Sequence, residues 1–147
     1  MLSKQLVILR GLTGSGKSVW AKKQSGAYVC SSDSFFENGY DPAKEVESHA
    51  HIRTKAVLGF QIREPLIIID DFNIQVPEVE FYAKLSSLYG YDLTIYRFLQ
   101  SPGMAVEKSR RSFTLEKCRD AWLELRKQPL MLCENELDVF KDAQIEK

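Results

Sequence analysis

Apolar residues in this chain fall into two kinds of run. Gln5–Arg10 (QLVILR) is a short continuous block closed by a glycine, the pattern of a strand buried on both faces of a parallel sheet. Leu66–Asp70 (LIIID) repeats it with β-branched residues, a proline in front and acids at its end. Ala27–Ser31 (AYVCS) and Leu93–Leu99 (LTIYRFL) read as two further strands, the latter broken by Ser101-Pro102-Gly103. The second kind of run has helical spacing. Lys17 to about Gln24 suits a helix closed by Ser25-Gly26, and Pro42 suits the first position of another that runs to about Gly59 or Phe60. In that helix Val46, His49, Ala50, Arg53, Ala56, Val57 and Phe60 recur at intervals of three and four. Further helices are expected from Pro77 to about Tyr89, from Ala105 to Arg111, and from Leu115 to Lys127, the last ended by Pro129.

Strands alternating with helices imply βαβ units: an α/β fold with a parallel sheet of about four strands, flanked by helices. Ligands of such sheets sit in the crevice beyond the carboxyl ends of the strands. Gly11, Asp33 and Asp71 all fall there in this reading.

The totals narrow the function classes. The 147 residues are expected to form a single domain, residues 1–147, with a core of its own. Lysine plus arginine equals aspartate plus glutamate at 20 each, so no global positive field gathers nucleic acid, and any such contact is local. No apolar run reaches the roughly 20 residues of a membrane span. The three cysteines, Cys30, Cys118 and Cys133, are odd in number and widely spaced, which points away from a disulfide framework and toward a reducing cytoplasm. The first ten residues lead straight into a strand without the features of a signal peptide.

The most specific signal is Gly11-Leu12-Thr13-Gly14-Ser15-Gly16-Lys17-Ser18, which matches GxxxxGK[ST] between a strand and a helix. Glycines there let the backbone curl until successive N–H groups point at phosphate oxygens, and the following helix adds positive potential. In this motif Gly11, Thr13, Gly14, Ser15 and Gly16 form the cradle, Lys17 reaches the β- and γ-phosphates, and Ser18 ligates magnesium. Asp70 and Asp71 end the apolar strand where a Walker-B carboxylate holds the metal or its water, and because adjacent strand residues face opposite ways only one of them can do so. Asp33, just past the second strand, is the candidate base for an acceptor hydroxyl, with a structural cap as the alternative. Lys108, Arg110 and Arg111 form a basic cluster that reads either as a lid over the transferring phosphoryl group or as a solvated face. His49 and Arg53, one helical turn apart, are candidates for acceptor contact or for structure. Tyr28, Phe35, Phe36 and Tyr40 offer either a base-stacking surface or core packing.

Four segments in order, ILRGLTGSGKSVWA, SSDSFF, YDPAKEVESHAHIRTKA and IIIDDFNIQ, resemble the P-loop kinases related to the kinase half of polynucleotide 5′-hydroxyl kinase. That family includes kinase-like domains attached to ubiquitin-ligase-binding and cyclic-nucleotide phosphodiesterase proteins. The resemblance covers roughly Leu6 to Lys127 and implies a P-loop NTPase-type sheet with a short helical lid. It also implies ATP and Mg2+ as cofactors, Asp33 as the catalytic aspartate, and Asp71 and Asn73 on the acid and asparagine of a D-T-N pattern. His49 falls on a histidine common in one branch, and the lid arginine falls at Arg110 or Arg111. Two positions depart from the pattern: Phe72 replaces the threonine of D-T-N, and Phe36 stands where the bacteriophage enzyme has an arginine for the acceptor phosphate.

The expectation is therefore ATP-dependent phosphoryl transfer to a hydroxyl, first of all the 5′-hydroxyl of a nucleic acid or nucleotide. A small-metabolite kinase is the alternative within the same class. A nucleotide-binding module without turnover, or an interaction domain that retains only the fold, are the rivals from other classes.

Overall fold

A computed structural model describes residues 3–11, 16–31, 41–71, 73, 75–98, 123–130 and 134–137. Five strands, three helices and a short helical stretch organise them. β1 (Gln5–Arg10) leads through α1 (Lys17–Lys22) to β2 (Tyr28–Ser31). A single 3₁₀ turn, Pro42–Lys44, precedes α2 (Glu45–Gln61), which returns to β3 (Leu66–Asp70). Then α3 (Val76–Tyr89), β4 (Asp92–Phe98), a helical stretch at 123–127 and β5 (Glu134–Leu137) follow. The strands form one sheet in the order β2-β3-β1-β4-β5, and every pairing is parallel. All five carboxyl ends therefore share one edge, and the order reverses around β1.

The strands lie where their apolar blocks predict because both sheet faces are covered, so the central strands are buried on both faces, from Leu6 to Arg10 in β1 and from Ile67 to Asp70 in β3. Leu6, Ile8, Ile67, Ile69 and Ile95 face one way and pack with Ile52, Ala56 and Phe60 of α2 and Val79 and Tyr82 of α3. Val7, Leu9, Ile68 and Phe98 face the other way and pack with Ala21, and Trp20 of α1 meets the ring of Tyr96 at 5.2 Å between centroids. Pro77 sits in the first turn of α3, where a missing N–H costs nothing, and Gly90 ends that helix in the left-handed conformation.

Three of the sequence readings gain detail here. The sheet has a fifth strand beyond the expected four, because β5 (ENEL) carries almost no apolar signal. The inward stripe of α2 is Ser48, Ile52, Ala56, Gly59 and Phe60, which shares Ala56 and Phe60 with the residues at three-and-four spacing, whereas Val46 is 78% exposed. Tyr28 is a β2 core residue packed against α2, its hydroxyl donating to the Lys55 carbonyl at 2.8 Å, which removes it from any base-stacking surface. The expected lid helix from Ala105 to Arg111 lies outside the described residues, as do Phe35, Phe36 and Tyr40. Among the described residues no helix is long and apolar enough to cross a membrane.

Candidate functional site

The carboxyl edge of β1 and β3 gathers the described members of the expected site. Gly11 has φ 152 and Gly16 φ 100, conformations that side-chain-bearing residues rarely adopt, so the glycines at both ends of the loop answer a backbone need. Gly16 then opens α1, the Trp20 amide donating to its carbonyl at 2.9 Å.

Lys17, the first residue of α1, is buried, and its ammonium bridges two main-chain oxygens, Gly11 O at 2.8 Å and Asp71 O at 3.0 Å. A buried ammonium between the start of the loop and the end of β3 lies within the ring of groups expected to receive phosphate. Ser18, next on α1, donates to Asp70 Oδ2 at 3.0 Å.

The two adjacent acids separate. Asp70 faces Ser18, whereas Asp71 Oδ2 lies 3.0 Å from Nδ1 of His49 on α2. His49 Nε2 is in turn 3.5 Å from Glu45, one helical turn earlier. The hydrogen bond to Asp71 raises the His49 pKa, against the opposing pull of partial burial. Glu78, in the first turn of α3, is raised as well, first by burial and then by the charge of Asp71. Arg53, expected beside His49, is exposed on α2.

Asn73 adopts φ 50, and its side-chain amide donates to Leu9 O at 2.7 Å and Asp71 O at 3.3 Å. Asparagine tolerates the left-handed region better than most residues, so it both makes the turn after β3 and ties the ends of β3 and β1 together. Thr13, Gly14, Ser15, Asp33, Phe72, Arg110 and Arg111 lie outside the described residues.

Sequence reasoning overlooked a buried cluster immediately behind the loop. Arg10, fully buried at the end of β1, donates through Nη1 to both carboxylate oxygens of Glu134 on β5, at 3.2 and 3.0 Å. Its Nε donates to Asn73 O at 2.7 Å, and Nη2 donates to the side-chain oxygen of Gln128. Arg97 of β4 holds the same carboxylate, Nε to Oε2 at 2.9 Å and Nη2 to Oε1 at 3.0 Å, and also donates to the carbonyls of Leu125, Gln128 and Pro129. The available signal was a charge at the end of two otherwise apolar strands, LVILR and LTIYRF.

The architecture is shared with known proteins. A structure of the Pnkp1/Rnl/Hen1 RNA repair complex superposes with a TM-score of 0.63 at 17% identity, covering 86% of this chain and 46% of that one. A protein of Chloroflexus aurantiacus, described as an inferred kinase, superposes at 0.64 and 16% identity, covering 98% and 96% of the two chains. The fold is that of the P-loop kinases. In sequence, an alignment 94 positions long with human NEDD4-binding protein 2 is 36% identical and covers 58% of this chain but 5% of that protein. No family model matches the chain. The P-loop fold accounts for why Gly11, Lys17, Ser18 and the β3 acids meet: β1 and β3 are neighbours, and α1 follows β1 directly after residues 11–16.

Proposed function

We propose that this chain is an ATP- and magnesium-dependent kinase that transfers the γ-phosphoryl group to a hydroxyl, preferably the 5′-hydroxyl of a nucleic acid or nucleotide. The observation that carries the reading is the buried Lys17 ammonium beside the Ser18–Asp70 hydrogen bond, at the mouth of a loop bounded by two positive-φ glycines. The donor chemistry fits a magnesium triphosphate. Lys17 is a mobile positive charge able to exchange carbonyl partners for β- and γ-phosphate oxygens, and Ser18 and Asp70 are hard oxygen donors suited to magnesium. When bound, magnesium neutralises charge on the phosphates.

In this proposal Gly11, Thr13, Gly14, Ser15 and Gly16 hold the phosphates through their amides. Asp33 orients the acceptor hydroxyl and takes its proton, and Arg110 or Arg111 stabilises charge on the transferring group. Asp70 is preferred over Asp71 on the metal side, since Asp71 faces His49. Preference for a nucleic-acid acceptor draws support from the likeness to a component of an RNA repair complex. The alternative is a small-metabolite kinase of the same fold.

Incubation with γ-labelled ATP and a panel of 5′-hydroxyl DNA, 5′-hydroxyl RNA, nucleosides and small alcohols tests the proposal. Label on the oligonucleotides is the expected result, and label on a small acceptor alone selects the alternative. ATP binding without acceptor-dependent transfer indicates a binding module, and absence of ATP binding indicates a domain that retains only the fold.

A further inference from the structure

The Arg10–Glu134–Arg97 cluster continues the apolar rows of the sheet. Arg10 follows Leu6 and Ile8 on one face of β1, Arg97 follows Leu93 and Ile95 on the same face of β4, and the two arginines are paired in register. Glu134 stands beside Ile95 in register, at the start of β5, and its side chain is fully buried. Two guanidinium groups and one carboxylate removed from water are a costly choice for stability alone, since a well-packed apolar trio often serves as well or better.

The contacts trace a continuous path. Glu134 on β5 holds Arg10, and Arg10 Nε holds the Asn73 carbonyl. The Asn73 amide holds Leu9 O and Asp71 O, and Asp71 O accepts from the Lys17 ammonium. Arg10 is also covalently joined to Gly11, where the loop begins. Arg97, by contrast, reaches Glu134 and the carbonyls of the 125–129 stretch. Arg97 thus fastens β5 to β4, and Arg10 connects that docked strand to the phosphate end of β1.

We propose that Arg10 is a positioning residue through which docking of β5 sets the loop end of β1 and the Lys17 ammonium, so that nucleotide affinity and β5 docking are coupled. This rests on the phosphate-binding reading given above. Coupling is reciprocal: if a docked β5 favours nucleotide, bound nucleotide must tighten β5 by the same factor.

The charges make the two arginines separable. Arg10→Met leaves a balanced Arg97–Glu134 pair, so β5 remains docked while its link to the loop is lost. Its affinity for MgATP is expected to fall about ten-fold, the lower end of what removing a supporting hydrogen-bond partner behind a binding group costs. Arg10→Lys keeps the charge but has one ammonium where the fork spans Asn73 O, Glu134 and Gln128, so it recovers little of that loss. In the parent, MgATP is expected to slow amide exchange in Glu134–Leu137, and in Arg10→Met this slowing disappears. Parent-like MgATP affinity in Arg10→Met, or undiminished slowing of β5 exchange, overturns the proposal. If Arg10→Met does not fold, Arg10→Lys is judged by the same two measurements. A parent that binds no MgATP defeats the nucleotide reading separately. Coupling is then decided without ligand by Glu134→Gln, which should speed exchange at the Trp20 amide, held by Gly16 O, and along β1, and unchanged rates there overturn it.

Discussion

Ser18 donates a hydrogen bond to Asp70 Oδ2 at 3.0 Å, and this contact separates two adjacent acids by partner. Asp71 turns instead to His49. Asp70 is the last residue of β3 and Asp71 the first beyond it, and the alternation of the strand carries over to turn the two side chains apart. The expected consequence is asymmetric. Asp70→Asn should raise the magnesium needed for half-maximal ATP turnover by about 10- to 100-fold, the scale for disturbing a metal's immediate surroundings. Asp71→Asn should leave that requirement within a few-fold of the parent. Magnesium titrations at fixed ATP distinguish the two, and the reverse ranking reassigns the metal-side role to Asp71.

Lys17→Ala should retain the fold while nearly abolishing transfer. The ammonium bridges the buried Gly11 and Asp71 carbonyls, and a water entering the space it vacates can donate to both. Loss of a positive group aimed at developing phosphoryl charge is expected to lower the transfer rate by about 10²–10³-fold. Thermal melting and single-turnover transfer on the same preparation check this, and parent-like transfer removes Lys17 from the site.

Much of this organisation is legible in the amino-acid sequence, for identifiable reasons. The blocks QLVILR and LIIID announce their strands because a sheet covered on both faces needs apolar residues at every position. GLTGSGKS is legible because its glycine spacing answers a backbone requirement that Gly11 and Gly16 display. β5 was not legible, since its inward position is filled by Glu134, whose arginine partners lie 37 and 124 residues away. The inward stripe of α2 is only partly legible, because it includes Ser48 and Gly59, which carry no hydrophobic signal, while exposed Val46 carries a misleading one. The division between Asp70 and Asp71 required His49, a contact that spacing alone does not supply.

Asn73 combines a backbone role with a side-chain role, and substitution can separate them. Asn73→Gly keeps easy access to φ 50 and loses the bonds to Leu9 O and Asp71 O. Asn73→Ala loses those bonds and also meets the left-handed penalty of about 1–2 kcal/mol. The alanine variant should therefore be the less stable by about 1 kcal/mol or more in urea unfolding. Equal stabilities show that the turn relaxes to an ordinary conformation.

Gly59 marks a close approach between α2 and β2. A Cβ placed there would lie 2.6 Å from Cε1 of Tyr28, whose hydroxyl is held by the Lys55 carbonyl. Alanine's helical advantage over glycine is about 0.5–1 kcal/mol. Overpacking against a tethered ring costs about 1–3 kcal/mol, so Gly59→Ala should destabilise. Tyr28→Phe frees the ring from its hydrogen bond, so the same substitution should cost less in that background, and a double-mutant cycle of unfolding free energies measures the difference.

His49 supplies the last prediction, a pH dependence with a defined direction in the nucleotide-free protein. Its pKa is raised above 6.5, foremost by the hydrogen bond to Asp71, with Glu78 of α3 and Glu45 of its own helix adding in the same sense. A group that binds its proton more tightly when folded stabilises fully below its unfolded pKa, and loses that contribution as pH rises through the folded value. Stability should therefore decline from about pH 6 upward through the titration of His49, over and above the change seen in His49→Gln. Glu78 is also raised, but from 4.5, so its contribution begins to decline at lower pH. Asp71→Asn removes the main cause of the shift and should bring the His49 titration, followed by its ring proton resonance, back toward the ordinary histidine range. A His49 titration unchanged by Asp71→Asn, or a parent whose stability above pH 6 parallels that of His49→Gln, refutes the pairing as the source of the pH dependence.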